Sequence, residues 1–509
     1  MPENATPRPF HSTSRRTLLG AGLALGTASA AAVNAASAST ATAADVSGLS
    51  RSDAAFLRRG LQHGAWVAPP ERYYPSAQVY SAQGGFTMPT FYDPDLYNKP
   101  LMDQLPGETW AITKAPYSDQ IDGPPQPGRP FLNAEQQANA GNLFSICLGD
   151  EEGYSVDRVD WFSQYAAQAR AAAPQALLHT NQYSGQWSDT QIRDYIRRVQ
   201  PDLLSWDNYY FHTAGSGRFE SGSVTPLYND TWRYRRLSLE GLDGAGTSPL
   251  AFGQYTLGYR NGNSQEGVGT RVISESEQYV VSFVTWALGG KWLNLFRWEW
   301  KAGDQIWLLN DENGNLTVQF DRYAKLNAMM RNLSPYLVRL RTKNAGLVRG
   351  KLASGSPTPA SSIPAFTATT DPGIGLESVS VTKAPDKNGG QPTDTLIGTF
   401  RPIPGLSATQ RGTYIPTADS PFFMVVNATG FANDNPGLRD GIGGESATLR
   451  QTVRLTFNLT GLPYNSAGLR VIRAATGTVE PVSLNSGSNG RYWVDWSING
   501  GVGDLFFWV

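Results

Sequence analysis

Between Leu143 and Trp300, five apolar runs each finish in carboxylates, amides and aromatics. The first ends Gly149-Asp150-Glu151-Glu152-Gly153-Tyr154. The next ends His179-Thr180-Asn181-Gln182-Tyr183, and a third ends Ser205-Trp206-Asp207-Asn208-Tyr209-Tyr210. The last two end Gly253-Gln254-Tyr255 and Arg297-Trp298-Glu299-Trp300. Unselected surface loops would carry more Lys, Ser and Pro. This mixture suits sugars: carboxylates and amides bind hydroxyls, and aromatic faces stack on pyranose rings. Cleavage of a glycosidic bond needs two carboxyl groups, one to protonate the leaving oxygen and one to attack the anomeric carbon or activate water. Glu151, Asp150, Asp207 and Glu299 are the candidate catalytic carboxylates. Asn181, Gln182, Trp206, Tyr209, Gln254, Tyr255, Trp298 and Trp300 are the candidate substrate contacts.

Each residue also has a plain structural reading. The acidic triplet 150–152 could be a solvated turn, although it follows a run of buried type. Asp150 and Glu151 are adjacent, so on a continuing strand they point to opposite sides. Both serve one site only if the strand has ended, and the expectation is that one faces the cleft while the other supports it. Asp207 could cap a helix or close an Asx turn. Glu299 could pair with Arg297, Lys301 or Lys291, but a carboxylate between two Trp could also hold a raised pKa suited to acid catalysis. Any single aromatic could be ordinary core.

Other chemistries find little support. His63, His179 and His212 are scattered without an HExxH pattern, so neither a metal nor a cofactor is expected. His63 and His179 read as structural. There is no Gly-x-Ser-x-Gly elbow, and the lone Cys147 sits inside an apolar run as a small core residue. Asp311-Glu312-Asn313-Gly314-Asn315 lacks the spacing and final Glu of a calcium loop and reads as a hairpin turn. With 42 Lys+Arg against 43 Asp+Glu, the net charge of -1 argues against a nucleic-acid partner.

The elements that would position these residues follow from periodicity. Strand-like runs lie at Ala65–Val67, Gly85–Met88, Thr109–Thr113, Leu143–Leu148, Ala176–Thr180, Leu203–Ser205, Leu250–Phe252 and Trp292–Phe296. Helical spacing marks Val156–Ala172, Thr190–Val199 and Ser274–Leu288, the last opening with a capping box. Eight strands alternating with helices predict a (β/α)8 barrel, whose active site lies at the C-terminal strand ends. No G-x-G-x-x-G follows the first strand, which argues against a dinucleotide fold. The Pro/Ser-rich stretch 351–364 reads as a linker. Beyond it, Phe422–Asn427, Thr452–Leu459, Leu469–Arg473, Tyr492–Ser497 and Leu505–Val509 predict an antiparallel β-sandwich. The expected layout is a leader at 1–44, a barrel at 45–350, the linker at 351–364 and a sandwich at 365–509.

Ser14-Arg15-Arg16-Thr17-Leu18-Leu19, a mild apolar run and an Ala-rich exit resemble a twin-arginine (Tat) export signal. Residues 1–44 carry Glu3 against Arg8, Arg15 and Arg16, so their removal takes the net charge from -1 to -3. The expected product is secreted from a bacterial cell, with the Tat machinery and a carbohydrate as its partners and no membrane association after processing.

Leu148–Phe211 resembles a group of (β/α)8 glycoside-hydrolase-like proteins. In that group the fourth strand ends Asp-Glu-Pro, a later strand carries Asn, and a Pro-Asp-x-x-x-x-Asp-x-Tyr-Pro-Phe segment follows. This chain has Asp150-Glu151-Glu152, Asn181, Pro201-Asp202 and Asp207-Asn208-Tyr209-Tyr210-Phe211. Glu277–Leu288, Trp292–Trp300 and Arg322–Leu340 are similar to that group's seventh helix, eighth strand and last helix, and a C-terminal sandwich is usual there. The resemblance covers residues 140–345 well. It implies Glu151 as the proton donor but names no nucleophile and no substrate. Two positions depart: Glu152 replaces Pro, and Glu299 stands where the group has an aromatic. The resulting expectation is a glycoside hydrolase, with Asp207 or Glu299 as the second carboxylate and Asp150 as support. The alternative is a non-catalytic glycan-binding barrel.

Overall fold

The computed structural model describes residues 46, 48–67, 75–91, 107–113, 121–211, 222–261, 271–298, 301–302, 305–311, 313–434 and 442–509. The expected export signal, Glu299, Trp300 and His212 lie outside them.

Eight parallel strands close into a barrel: β1 (Gln62–Val67), β2 (Pro89–Phe91), β3 (Trp110–Thr113), β4 (Leu143–Asp150), β5 (Leu177–Tyr183), β6 (Leu203–Asp207), β7 (Ala251–Leu257) and β8 (Trp292–Trp298). β8 returns to pair with β1, Gln62 opposite Trp292. The second strand lies beyond the expected Gly85–Met88. Gly85 takes φ +66 in the turn that leaves a short helical segment, Gln78–Gln83, and the ladder begins only at Pro89.

Helices α1 (Arg51–Arg59), α2 (Val156–Ala172), α3 (Asp189–Val199), α4 (Thr225–Glu240), α5 (Glu275–Ala287) and α6 (Val318–Leu337) cover the barrel. All but α4, which opens with a Pro in its first turn, start at side chains that satisfy orphan amides. Ser155, Ser188, Ser274 and Thr317 cap α2, α3, α5 and α6, and Ser188/Gln191 and Ser274/Glu277 form full capping boxes. The α5 sequence is apolar almost all round, and every residue from Ser276 to Ala287 is buried. Such a helix needs cover on both sides.

The second cover is a sheet of the C-terminal sandwich. Its strands are β9 (Leu340–Val348), β10 (Leu376–Lys383), β11 (Thr395–Pro402), β12 (Phe422–Asn427), β13 (Gln451–Asn458), β14 (Leu469–Ile472), β15 (Val479–Pro481), β16 (Asn485–Ser486), β17 (Arg491–Ile498) and β18 (Gly503–Trp508). They form two antiparallel sheets, β9-β11-β12-β18-β14-β15 and β10-β13-β17-β16. Phe423, Val425, Leu455, Phe457, Phe506 and Trp508 fill the space between the sheets. Alternate residues of β12 and β18, among them Phe422, Met424, Val426 and Leu505, join the core of the barrel. At Gly398 a Cβ would lie 1.8 Å from the Ala287 carbonyl oxygen, so the α5–β11 approach requires glycine.

Two expectations about organisation are corrected here. Leu340–Val348 was expected in the barrel half. It is a sandwich strand paired with Thr395–Pro402, so the chain enters the sandwich before residue 350. The stretch 351–364 is also not a free linker. Gly350 N and Thr358 Oγ1 donate to Asp394 Oδ1 at 2.6 and 2.7 Å, Leu347 N donates to the Pro364 carbonyl at 2.8 Å, and Ser362 N donates to Asn229 of α4 at 2.7 Å. Pro and Ser supply turns there, while buried Asp394 pins them. Residues 42–509 form one compact unit.

Candidate active site

The site is built where β4, β5 and β6 end. Along β5, alternation puts His179, Asn181 and Tyr183 on the inner side, and along β6 it does so for Ser205 and Asp207. Inner residues of four strands meet at the axis: the rings of His179 and Trp292 lie 5.2 Å apart, Tyr255 and Trp292 5.3 Å, and Trp66 and Tyr255 5.9 Å.

On β4, simple alternation would aim Cys147 and Gly149 inward and Asp150 outward. The ladder with β5 prevents this: Cys147 pairs with His179 and Asp150 with Asn181, so β4 spends one more residue than β5 over this interval. Such a bulge flips the following side chain, and Asp150 turns in. Only glycine fits at the bulge. A Cβ on Gly149 would lie 2.5 Å from Glu152 Oε2 and 2.7 Å from the Phe162 ring. Glu151 then takes φ +63, an unusual conformation for a non-glycine residue, while its N–H bonds the Asn181 carbonyl at 2.9 Å. Bulge and left-handed turn together bring both adjacent carboxylates to one site.

The carboxylates share a single amide. Asn181 Nδ2 donates to Asp150 Oδ1 and Asp207 Oδ1, each at 2.9 Å. Those two oxygens therefore stand no farther apart than twice that distance. The Glu151 carboxyl approaches that of Asp207 closely enough to act on its ionisation. Asp207 is 5% exposed, Asp150 half-buried and Glu151 exposed. Burial, then the Glu151 and Asp150 charges, hold the Asp207 carboxyl well above the usual carboxylate range. The close approach of Glu151 acts the same way and the Asn181 amide opposes it. Burial therefore favours the protonated form of Asp207.

Beneath the carboxylates, Ser205 Oγ donates to the Thr180 carbonyl (3.2 Å) and to Asn181 Oδ1 (3.4 Å), and His179 Nδ1 lies 2.8 Å from Ser205 Oγ. Burial pushes the His179 imidazole down to about 3, so it is neutral. Half-buried Tyr209 packs on Tyr259 and Phe296 beside Asp207. Burial first, then the Asp207 charge, pushes the ionisation of its hydroxyl to higher pH. Inner Tyr255 sits beneath Asp150, its hydroxyl against the Trp66 indole and the Thr113 hydroxyl.

Of the expected substrate contacts, Asn181, Tyr209 and Tyr255 are brought to the site. Four others face away from it. Trp206 stacks on Tyr234 of α4 (4.3 Å, 12°), and Gln254 donates to Thr285 of α5 at 2.6 Å. Gln182 donates to Thr180 on the outer side of β5 at 2.7 Å. Trp298 packs against Tyr80, Phe86 and Phe320. Parity decides the first three, each one residue away from an inward position; Trp298 shares the parity of inward Trp292 and is turned away by the register shift between Leu295 and Trp298. Glu152 is buried at 3% exposure against Gly149, with its carbonyl accepting from Trp187 Nε1 at 2.9 Å.

Tyr183 was overlooked. It is 50% exposed, shares the inner side of β5 with Asn181 and pairs in register with Asp207. The signal was its i+2 spacing from Asn181. Cys147 is fully buried, and burial, then the Asp150 and Glu152 charges, pushes its thiol well up. The hairpin reading at Asp311 matches the backbone, whose Asn313 and Asn315 amides both donate to Asp311 Oδ1 at 2.8 Å. Among the described residues no group of three or more His, Cys, Asp or Glu is placed to hold a metal ion, and no helix is long and apolar enough to cross a membrane.

No family model and no curated protein matches the chain. Among solved structures, it is similar to a glycoside hydrolase family 5 protein from Bacteroides vulgatus (9% identity, 88% of this chain, 89% of that one, TM-score 0.45). It is also similar to an alpha-amylase from Geobacillus thermoleovorans complexed with acarbose (10% identity, 90% and 99%, TM-score 0.43). A third likeness is to a beta-galactosidase from the haloarchaeon Halorubrum lacusprofundi (10% identity, 54% and 58%, TM-score 0.37). The match to that beta-galactosidase spans 58% of its length, and a match to the one from Marinomonas spans 60%.

Proposed function

We propose that the chain is a secreted glycoside hydrolase. The observation that carries the reading is three carboxyls gathered at the C-terminal mouth of a (β/α)8 barrel, Asp150 and Asp207 on the one Asn181 amide and Glu151 close to Asp207. Asp207 holds a proton. Exposed Glu151 takes it over and passes it to the leaving oxygen as the glycosidic bond breaks; a water from solvent then forms the new bond to the anomeric carbon, and its proton returns through Glu151 to Asp207. Asp150 meets the positive charge that develops at the anomeric carbon. Asp150 thus takes the place that the sequence offered to Asp207 or Glu299, because burial favours the protonated form of Asp207. Opposed carboxyls stand roughly 5–5.5 Å apart in retaining enzymes and roughly 6.5–9.5 Å apart in inverting ones. Tyr183 and Tyr209 offer apolar faces to the sugar.

A panel of polysaccharides and aryl glycosides tests the reading. Glu151→Gln should lose on the order of 10²–10⁴ in rate on natural glycosides. The loss should be smaller on activated aryl glycosides, whose leaving groups need little protonation. Equal hydrolysis of a natural glycoside by variant and parent removes Glu151 from the role. The close approach of Glu151 to Asp207 favours a second reading, a barrel that binds glycans without turnover. Saturable glycan binding by calorimetry with no hydrolysis on any substrate would establish it. Export rests on the twin arginines: Arg15→Lys with Arg16→Lys should leave the precursor in the cytoplasm, and unchanged secretion would refute Tat dependence.

A further inference from the structure

Asn181 was expected to touch substrate, but its amide has no proton to spare. Both Nδ2 hydrogens are committed, one to Asp150 and one to Asp207, at 2.9 Å each. The other end is held from below, where Oδ1 accepts from Ser205 Oγ at 3.4 Å. A Ser205 hydrogen directed at Asn181 Oδ1 and the Thr180 carbonyl leaves its oxygen to accept from His179 Nδ1, 2.8 Å away, which assigns the neutral ring its Nδ1–H tautomer. The donors run one way, His179 to Ser205 to Asn181 to the carboxylates. All three residues are at most 2% exposed, so water does not replace a missing link.

We infer that His179, Ser205 and Asn181 form a positioning relay that fixes the orientation of the Asn181 amide and thereby sets the pH at which Asp207 gives up its proton. A flipped amide would turn its oxygen toward Asp150 and Asp207, repelling ionised Asp150 and favouring the protonated form of Asp207, which could then donate to it. The groups facing Asp207 are Glu151 and Asp150 from the end of β4, Asn181 from β5, Tyr209 from the β6 loop, Tyr259 beyond β7 and Tyr234 from α4. Asn181 alone opposes the upward drift of the Asp207 carboxyl among the causes acting on it. The inference rests on the hydrolase reading for its catalytic consequence but not for its titration.

The test uses the full chain with Ser205→Ala, Ser205→Thr and Asn181→Ala. Ser205→Ala removes the middle donor with little change in volume. The expected result is a loss of about 10-fold or more in kcat with KM little changed, and a shift of the basic limb of the rate profile to higher pH, larger for Asn181→Ala. Ser205→Thr, which keeps the hydroxyl, should restore both. A profile of unchanged shape, lowered equally at every pH, would overturn the relay and leave a packing role. The second readout needs no activity: the pH dependence of the melting temperature should move to higher pH in Asn181→Ala, and the move should vanish when Asp207→Asn is added. If no substrate is ever turned over but this shift is seen, the relay stands and the hydrolase reading fails. If the shift is absent, the relay fails whatever the activity.

Discussion

At the scale of single residues, the site is held at the expense of stability. Glu151 occupies a left-handed conformation that costs a non-glycine residue about 1–2 kcal/mol. Asp207 is a nearly buried carboxyl beside two others. Both features predict that substitutions which harm function stabilise the fold. Glu151→Gly should raise unfolding stability by about 1 kcal/mol in a denaturant titration while losing turnover. For Asp207 the sign follows from its raised ionisation. Above pH ~4 the unfolded chain has released a proton that the folded chain keeps, so this group's contribution falls as pH rises toward its folded value. Asp207→Asn removes that slope. The variant should gain stability relative to the parent, most at the alkaline end, and a gain confined to acid pH would contradict the assignment.

At the scale of elements, the β4 bulge is what brings two neighbouring carboxylates to one place. Gly149→Ala removes no functional group, yet its Cβ would press on Phe162 and Glu152 and shift Asp150. A cost of about 1–3 kcal/mol is expected, with a fall in kcat. Gly141→Ala, in open space just before the same strand, is the control that should change neither. The bulge also marks where sequence reading stops. The runs that became β3 to β8 were legible because buried parallel strands are short and continuously apolar, and α2, α3 and α5 because their caps and period agree. Which of two adjacent residues faces the axis was not legible, since one inserted residue reverses every later assignment. That is why Trp206 and Trp298 read as sugar platforms yet lie in the outer core, and why Tyr183 was missed. β9 was overlooked for a similar reason: its register shifts between Thr342 and Ala345, breaking the alternation.

At the scale of the whole molecule, barrel and sandwich share α5 and one continuous core, so they should unfold together in a single calorimetric transition. Two buried imidazoles set the acid side of that stability. His63 lies between Asn327 of α6 (2.6 Å) and Thr256 of β7 (3.1 Å), and burial pushes it down to about 4. His179 is pushed down by burial to about 3. Both are below the unfolded value of about 6.5. As pH drops from 6.5 toward 4, the unfolded chain takes up two protons that the folded chain refuses. Stability then falls with decreasing pH, at up to about 2.7 kcal/mol per pH unit from this pair. Acid destabilisation should therefore begin near pH 6, well above the range in which carboxylates protonate. Replacing the pair, His63→Gln with His179→Gln, should flatten the curve between pH 4 and 6 even though each loss lowers stability at neutral pH. A double variant that keeps the parent's slope over that interval would show that the two rings are protonated in the fold, and the tautomer assigned to His179 would fall with them.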